Sequence, residues 1–492
     1  MPRYAVRLFP MLLAASALSA CEVGPNYTRP PAVTPPTYKE IQGWTPANPQ
    51  ADAANRADWW TIFNDPVLND LEEKVATNNY TLAADLAAYE QERALVAEQR
   101  AALLPTINAS GTATVSKAAG GGSTISAGGT VIPGGRGAVQ NYSLQLGGTW
   151  EPDLWGKVRR GIENARGTAQ ASYADLVNAK LSAELELAAD YVTLRALDEQ
   201  KRFDDDTVAA YALSLKVTQN KYDAGVSALS DVDTAATQLH NVRAADTALG
   251  QQRAQMEHAI AVLIGLPPAE FSIAPGPWTL KPVDVPPGVP STLLQRRPDV
   301  ASAERRAAAA SAEIGVATAG YFPNLTLTGT GGTEALKVAS LFTPQSFFWN
   351  VGASAAETLF NGGLTHAQVQ AARSGYNGAV ATYRQTVLTA FQQVEDNLAA
   401  QRVLADEQPD LQASVTSSDQ AVRIITNQYN AGTVDFTSVV VAEAQAYNAH
   451  NAELQLEANR LTTTVDLIVA LGGGWNASEL DSKGTPSTPI FP

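Results

Sequence analysis

Few residues of this sequence are of the types that carry chemistry, and they form no catalytic pattern. Four histidines are scattered along the chain without HExxH or any other paired-ligand spacing: His240, His258, His366 and His450. A single cysteine excludes an intramolecular disulfide and any CxxC metal site. The sequence also has no GxSxG motif, no P-loop and no GxGxxG motif after a strand. We therefore expect no enzyme, and we predict no catalytic residue, no metal site and no cofactor.

The single cysteine lies at the end of a predicted signal sequence. A start that contains two arginines is followed by the apolar run 8–18 and then by Leu18-Ser19-Ala20-Cys21. A basic start, a short apolar core and small residues are typical of a secretory signal that is too short to span a membrane. The end of this signal resembles that of bacterial lipoproteins, which implies removal of residues 1–20 and acylation of Cys21. The alternative is an ordinary signal cleaved near Ala20, with a cysteine that has no role.

The same resemblance assigns a membrane to the anchored chain. Glu22, rather than aspartate, follows Cys21, which favours the outer membrane over retention at the inner one. Several acyl chains would hold the protein to the membrane, because each buried CH₂ contributes about 0.8 kcal/mol. No later apolar stretch reaches the roughly 18 residues that a transmembrane helix needs, so none is expected in the mature chain.

The balance of charge excludes one class of partner. In 492 residues, 34 Lys and Arg against 49 Asp and Glu leave a formal charge of −15. The basic surface that nucleic-acid binding requires is therefore not expected. Hydrophobic residues at 45% and charged residues at 17% also exclude a disordered acidic chain.

The chain is a tandem repeat. Asn-Lys-Tyr-Asp-Ala-Gly at 220–225 is echoed by Asn-Gln-Tyr-Asn-Ala-Gly at 427–432, and the same spacing pairs Gly265 with Gly472. The spacing holds without a gap from about 156 to 266. This pattern indicates two copies of one unit joined by a proline-rich stretch.

Each unit is predicted to contain a helix, a β-hairpin, a very long helix, a turn and a further helix. Segments rich in good helix formers predict the long helices at about 156–219 and 363–426, each roughly 96 Å long at 1.5 Å per residue. Shorter helices are predicted at about 79–104, 228–264, 296–320 and 436–471. One continuous helix would thus lie beside two shorter ones stacked end to end, as in the wall of a tube. A plain elongated bundle also fits the helices alone.

These elements divide the chain into segments. The signal peptide is 1–20 and the N-terminal lipid-anchored segment is 21–78. Repeat 1 covers 79–265, with a hairpin at about 105–151 and a tip turn at about 220–230. Repeat 2 covers 296–472, with a hairpin at about 323–356 and a tip turn at about 427–437. The segment 21–78, the linker 266–295 and the tail 473–492 are expected to form a collar around the helices.

The predicted hairpins alternate small polar and apolar residues with a period of two, most clearly at 107–115, 141–150, 325–328 and 349–355. Strands of about ten residues with one apolar face fit the wall of a transmembrane barrel. Alternation alone also fits a half-buried soluble sheet. Aromatic residues near the strand ends are predicted to lie at the membrane interface: Tyr142, Trp150, Phe347, Phe348 and Trp349.

Four strands cannot close a barrel. The smallest single-chain membrane barrels have about eight strands, and an open edge in lipid leaves unpaired backbone groups that cost several kcal/mol each. Oligomerisation is therefore required. A dimer would give about eight strands around an interior filled by side chains, and a trimer about twelve strands around a water-filled lumen.

Longer motifs connect the chain with a known family. They are Cys-Glu-Val-Gly-Pro-Asn-Tyr at 21–27, Trp-Trp-x-x-Phe-Asn-Asp-Pro-Val-Leu at 59–68, Leu-Leu-Gln-Arg-Arg-Pro-Asp-Val at 293–300 and Tyr-Phe-Pro at 321–323. Together with the two Tyr-x-Ala-Gly turns, they resemble TolC-like outer-membrane efflux factors, in their lipoprotein branch. The resemblance covers nearly the whole mature chain.

The resemblance implies a mixed α and β fold in which three chains build a twelve-stranded transmembrane β-barrel continuous with a long periplasmic α-helical barrel. It implies a homotrimer in outer-membrane lipid that docks to a periplasmic adaptor protein and, through it, to an inner-membrane RND-type transporter. Small molecules, such as drugs, toxic compounds or ions, would leave passively through this channel. Two alternatives stay open, namely an exit duct for secreted polypeptides and a periplasmic structural lipoprotein without transport.

The resemblance also places a site at the periplasmic tip formed by the two turns, where side chains close the channel and contact the adaptor. The two glycines of the turns suit left-handed helix stops. Val441 stands where the family often has an acidic residue, so the anionic ring is expected from the carboxylates of repeat 1. The alternative is that these carboxylates are solvated charges at a helix end. The candidate tip residues are Tyr222, Asp223, Gly225, Asp231, Asp233, Tyr429, Gly432, Thr437 and Val441.

Overall fold

The architecture is that of a computed structural model, which describes residues 22–32, 34–40, 58–117, 124–125, 131–132, 138–282, 296–475, 477–478 and 480. The predicted signal peptide 1–20 and the predicted lipidation site Cys21 lie outside the described residues, as do parts of the linker and of the tail.

Both repeats follow the predicted order of elements. The long helices end at Asp223 and Asn430, four residues beyond the predicted ends at 219 and 426. They continue until the left-handed glycines Gly225 and Gly432, two residues further on, end the helical backbone. Short 3₁₀ helices lie at Trp59–Phe63, Pro268–Glu270, Val338–Ser340 and Pro344–Ser346. The helix α1 (Pro66–Asn78) precedes the first repeat. That repeat comprises α2 (Tyr80–Ala101), β1 (Thr106–Ser116), β2 (Thr124–Ile125), β3 (Val131–Ile132), β4 (Val139–Trp150), α3 (Lys157–Asp223) and α4 (Leu229–Leu263). The second comprises α5 (Pro298–Ala319), β5 (Asn324–Ala335), β6 (Phe347–Ala356), α6 (Leu364–Asn430) and α7 (Phe436–Ala470).

The two repeats have equal dimensions. The long helices α3 and α6 contain 67 residues each, and α4 and α7 contain 35 each. At 1.5 Å per residue, each long helix spans about 100 Å. Glycines with positive φ precede the long helices (Gly156, 79°; Gly363, 90°) and follow the last ones (Gly265, 74°; Gly472, 97°). Glycine adopts this left-handed backbone at least cost, so these residues fix the ends of both units in the same way.

Small residues bring the helices of the two repeats close together. The long helix α3 packs against α2, α4, α5 and α7, while α6 packs against α5 and α7. Near the start of α3, the Asn164 side-chain amide donates to the Ala309 carbonyl at 2.9 Å, and Gly167 faces the same alanine. The alanine run 307–310 of α5 therefore lies where a larger side chain would separate the helices.

A single four-stranded antiparallel sheet joins the repeats in the order β1-β4-β5-β6. Its central pair, β4 and β5, comes from different repeats and runs from Tyr142 opposite Ala335 to Trp150 opposite Leu327. The strands β1 and β6 are therefore the outer strands of this sheet within one chain. Among the described helices, none combines the length and the apolar character that crossing a membrane requires.

The strand register separates an apolar face of the sheet from a polar one. Ile107, Leu146, Leu327 and Ala353 lie on one face, since side chains alternate along each strand and pair across the ladder. On the other face, the hydroxyls of Thr112 and Ser143 lie 2.6 Å apart, and Asn141 donates to Glu334 at 2.7 Å. The sheet thus has the two-sided character that the alternation predicts.

Residues 58–75 and 271–280, from the segments predicted to form the collar, pack near the middle of the long helices. Trp60 and Leu68 are buried in one apolar cluster with Tyr191 of α3. The linker is held by charge-assisted hydrogen bonds, in which Arg195 Nη1 donates to the Ala274 carbonyl at 3.0 Å and Arg253 Nη2 to the Ile273 carbonyl at 2.6 Å. These bonds fix the linker to α3 and α4 of the first repeat.

One carboxyl group under the collar is buried without a hydrogen-bond partner. Glu72 of α1 is fully buried, and neither of its oxygens accepts a hydrogen bond from the described part of the chain. Burial, together with the neighbouring Glu184, raises the pKa of Glu72 to about 10. The folded protein therefore holds a proton at neutral pH that the unfolded chain, with the ordinary carboxyl pKa of 4.5, releases.

Replacing this carboxyl group should stabilise the protein in a pH-dependent way. We expect Glu72→Met to raise the free energy of unfolding at pH 7.5 by about 2 kcal/mol, because folding no longer has to protonate a buried carboxylate. The gain should shrink as the pH falls toward 4.5, where the unfolded chain also becomes protonated. Thermal unfolding across this range measures the effect, with the exposed Glu73→Met as control. A gain that is independent of pH would contradict the assignment.

Candidate functional site

The two tip turns have the same backbone geometry. In the first, Gly225 (φ 74°) donates its N–H to the Tyr222 carbonyl at 2.8 Å, and Val226 donates to Lys221 at 2.9 Å. In the second, Gly432 (φ 72°) and the following residue make the equivalent bonds, both at 3.0 Å. This is a Schellman C-cap, which satisfies the last helical carbonyls and requires the left-handed backbone that glycine provides.

Side chains of both repeats join the turns into one tip. The Lys221 ammonium lies 3.7 Å from the centre of the Tyr429 ring, and that ring lies 5.3 Å from the Phe436 ring. Phe436 is buried with Val440 of α7 and Ala235 of α4. The end of the long helix α3 is thus tied to the second turn by a cation–π contact and a small apolar cluster.

Each turn uses one aspartate to cap the helix that follows it. In repeat 1 the N-cap residue is Ala228, so the carboxylate comes from Asp231, which accepts the Ser227 hydroxyl at 2.7 Å and the Ala228 N–H at 3.3 Å. In repeat 2 the equivalent positions are Asp435 and Ser438, and Asp435 accepts both the N–H of Ser438 (2.9 Å) and its hydroxyl (2.7 Å). Both helices are thus capped by an aspartate, which stands at the third helical position in repeat 1 and at the N-cap position in repeat 2.

This capping role leaves two of the predicted ring carboxylates available. Asp223, the last residue of α3, is exposed and accepts a hydrogen bond from the Gln219 amide at 2.9 Å. Asp233 is exposed on the next turn of α4. Asp231 is held by the start of its own helix, so Asp223 and Asp233 are the groups of this turn whose charge faces solvent.

The second turn forms a shallow apolar and polar groove. Thr437 and Val441 line a cavity of about 350 Å³ together with Ile425 and Asp435, and Val441 is 51% exposed. Asp435 is absent from the predicted tip residues, although an aspartate three residues before a serine at a helix start is an N-cap signal. Hydrogen bonds from Ser438 hold the pKa of Asp435 below its ordinary value, so this turn keeps a negative charge.

Aromatic side chains mark both ends of the sheet. Tyr142, Phe347 and Trp349 lie at the end away from the helices, and Trp150 lies at the helix end, where its indole donates to the Leu103 carbonyl at 3.0 Å. Along β4, Tyr142 and Trp150 are separated by about 26 Å at 3.3 Å per residue. Phe348 lies on the opposite face, with Asn350, because successive residues of a strand alternate; it does not share the apolar face with the other four.

The start of the described chain is fixed where the sheet meets the long helices. Val23 donates its N–H to the Trp155 carbonyl at 3.0 Å. The Arg160 guanidinium, which is 3% exposed, donates to the Asn26 side chain at 2.7 Å and lies 3.5 Å from the Glu22 carboxylate. The residue directly after Cys21 is therefore held at the sheet–helix junction.

Comparison with known proteins agrees with this architecture. A family model described as outer membrane efflux protein matches residues 71–266 and 289–473, once on each repeat. The chain belongs to this family. It is 29% identical to outer membrane protein OprJ of Pseudomonas aeruginosa, over 94% of this chain and 95% of OprJ. It is 27% identical to the toluene efflux pump outer membrane protein TtgC of Pseudomonas putida, over 98% and 99% of the two chains.

A solved structure shows the same fold. The outer-membrane channel OprN superimposes with a TM-score of 0.85 at 29% identity, over 92% of this chain and 100% of that chain. The predicted fold class and function are confirmed: this family member is a TolC-like outer-membrane efflux channel built from two tandem repeats, and it extends from the outer membrane into the periplasm. Its relatives are channel proteins rather than enzymes.

The two tip aspartates should respond differently to substitution. Asp231→Ala removes the cap of α4, so we expect the first turn of that helix to lose about 1 kcal/mol of local stability. Amide hydrogen exchange of residues 232–235, whose N–H groups are the first to bond carbonyls within the helix, should then become about fivefold faster, as expected for a loss of about 1 kcal/mol. Asp233→Ala removes the same charge without the cap and should leave the exchange unchanged. Equal exchange in the two variants would contradict the capping role.

Proposed function

We propose that this chain works as a homotrimer, lipid-anchored through Cys21, that forms the passive exit duct of a tripartite efflux pump. The observation that carries the proposal is the four-stranded sheet, whose outer strands β1 and β6 each have one edge that pairs with no other described strand of the chain. The duct has no catalytic task in this proposal, and cargo moves down the gradient that the inner-membrane transporter creates.

The open edges require other copies of the chain. In hydrocarbon, each unpaired backbone N–H or C=O group costs several kcal/mol, so β6 of one copy has to pair with β1 of the next. Two copies would build about eight strands, whose interior is filled by side chains, whereas three build about twelve around an aqueous lumen. The polar face, with Thr112, Asn141 and Ser143, supplies a wall suited to water. A trimer is therefore the assembly that conducts.

The contacts of the N-terminal segment support the lipid anchor. An acyl chain on Cys21 has to enter the membrane, and the next residue is held at the sheet–helix junction by Arg160 and by the Trp155 backbone. Trp150 and Trp155 lie at this same level of the molecule, and tryptophan is enriched at membrane–water interfaces. The anchor would thus begin where the predicted barrel leaves the membrane.

The tip is the surface proposed to meet the periplasmic adaptor and, through it, an RND-type inner-membrane transporter. It lies at the end of helices about 100 Å long, away from the sheet. Its groove beside Val441 is lined by apolar and polar side chains, and Asp435 at its edge is charged. We place the channel closure here as well, with Asp223 and Asp233 of three chains forming the anionic ring. The cargo class is small molecules, by analogy with the toluene efflux pump protein named above.

Single-channel recording in lipid bilayers tests the duct and its closure. Neutralising the exposed ring with Asp223→Ala and Asp233→Ala should raise the conductance of the resting channel several-fold, because the carboxylates that hold the tip together by polar contacts and bound cations are lost. Asp206→Ala, an exposed aspartate of α3 remote from the tip, serves as control. An unchanged conductance of the double variant would show that these two aspartates do not close the channel. A purified protein that forms no ion-conducting pore with or without these substitutions would contradict the duct itself.

A further inference from the structure

The collar contains a cavity that the duct does not use. It has a volume of about 640 Å³ and lies between α2, α3 and the turn that follows α7. Four aromatic residues line it, together with one carboxylate and one lysine: Trp59, Tyr89, Tyr173, Trp475, Glu184 and Lys180. We call this cavity the collar pocket. Its volume falls in the range of roughly 300–1,000 Å³ that small-molecule sites occupy.

The pocket is elongated, and its two ends differ chemically. Tyr173 and Glu184 stand on the same side of α3, eleven residues apart, which corresponds to about 16 Å along the helix. At the Tyr173 end, the rings of Tyr89 and Tyr173 lie 5.3 Å apart, and Trp475 packs in the same cluster. At the other end stands Glu184, with Trp59 in the same wall. A ligand that fills the pocket is therefore long, mostly apolar and charged at one end.

Both ends carry polar groups that lack a full set of partners. The Trp475 side chain is 92% buried, and its indole N–H donates to no acceptor in the described part of the chain. At the opposite end, Glu184 is only 3% exposed. Lys180 approaches its carboxylate at 3.5 Å with a side chain that is 47% exposed, so the pair is long and open to solvent.

The environment of Glu184 is short of positive charge. Burial raises the pKa of Glu184 to about 7, although Lys180 and Trp59 act in the opposite direction. The fully buried Glu72 next to it adds a second carboxyl group without a hydrogen bond from any described residue. A positive charge brought to this end would be stabilised by the Glu184 carboxylate in a poorly solvated place, whereas Glu72 keeps its proton.

The chemistry of the lining selects an organic cation over a metal ion. Aromatic faces attract a cationic nitrogen and pack against an apolar body, whereas a divalent metal needs six or so oxygen ligands, which these rings do not provide. We propose that the collar pocket binds an elongated amphiphilic organic cation, with its charged nitrogen at Glu184 and a hydrogen-bond acceptor at the indole N–H of Trp475. This inference does not depend on the assembly or the conductance proposed above.

Fluorescence polarisation with a matched pair of dyes tests the proposal. The assembled protein, held in amphipol so that no free micelles compete, is titrated against rhodamine 6G, a cation, and against fluorescein, an anion built on the same ring system. Rhodamine 6G should bind saturably and raise the midpoint of thermal unfolding, because a ligand that binds only the folded state stabilises it. Fluorescein should bind about tenfold or more weakly, since it brings a negative charge to Glu184.

Three variants locate the binding. Glu184→Gln keeps the shape and should weaken rhodamine 6G binding about tenfold, whereas Glu186→Gln, an exposed change on the same helix, should not alter it. Lys180→Met should strengthen binding at alkaline pH, where Glu184 is ionised with or without the lysine, because it removes a competing cation from a half-exposed position. Equal affinities of the Glu184 and Glu186 variants, or weaker binding by Lys180→Met at that pH, would overturn the proposal. Fluorescein binding as tight as that of rhodamine 6G would do the same.

Discussion

The unpaired edges of a short sheet are the constraint on which the rest of this molecule depends. Within the described part of one chain, β1 and β6 each present a row of backbone groups with no strand partner, and lipid offers none. Water would tolerate such edges, and a soluble sheet could end there. The apolar face and the aromatic residues at both ends of β4 point instead to hydrocarbon. The roughly 26 Å between Tyr142 and Trp150 along a strand tilted by about 40° corresponds to a depth of about 20 Å, which fits within the apolar band of about 25 Å in membrane barrels. Once the sheet is in lipid, pairing between copies is obligatory.

The long helices continue directly from the strands and extend into the periplasm. Gly156 and Gly363 turn the chain from strand to helix with a left-handed backbone at equivalent places of the two repeats. Arg160, in the first turn of α3, also holds the N-terminal segment at this junction. Strand, helix and N-terminal segment therefore meet at one level. About 100 Å away, the tip turns repeat the same solution, in which a glycine ends the helix and an aspartate begins the next.

Much of the fold could be predicted from the sequence because its signals are local or periodic. The 207-residue spacing of the Tyr-x-Ala-Gly turns indicates the repeat, and strand alternation indicates the faces of the sheet. The pairing of β4 with β5 depends on contacts between residues nearly 200 positions apart, such as Tyr142 and Ala335, so no local signal shows it. The approximate extent of each helix could be predicted, because it depends on local composition. The side of each helix that is buried could not, because it depends on several neighbouring helices.

The candidate site was less accessible to sequence reasoning. Three aspartates near one turn suggest a ring of charge, but hydrogen bonds decide which carboxylates are free to form it. Asp231 is not free, because it accepts the hydrogen bonds that cap α4. Its counterpart Asp435 lies at a different position of the motif, so the repeat comparison alone does not reveal it. Glu72 looks like an ordinary helix-surface residue, since only the packing of the collar on α3 shows that it is fully buried. The same packing creates the collar pocket.

Native mass spectrometry of the intact protein, extracted from membranes in a mild non-ionic detergent, tests the central claim most directly. Combined with hydrogen exchange of β1 and β6, it counts the copies and reports whether the edge amides are paired. The account predicts a particle of three chains in which the amides of both outer strands are protected. A particle of one chain with both outer strands equally protected would contradict it.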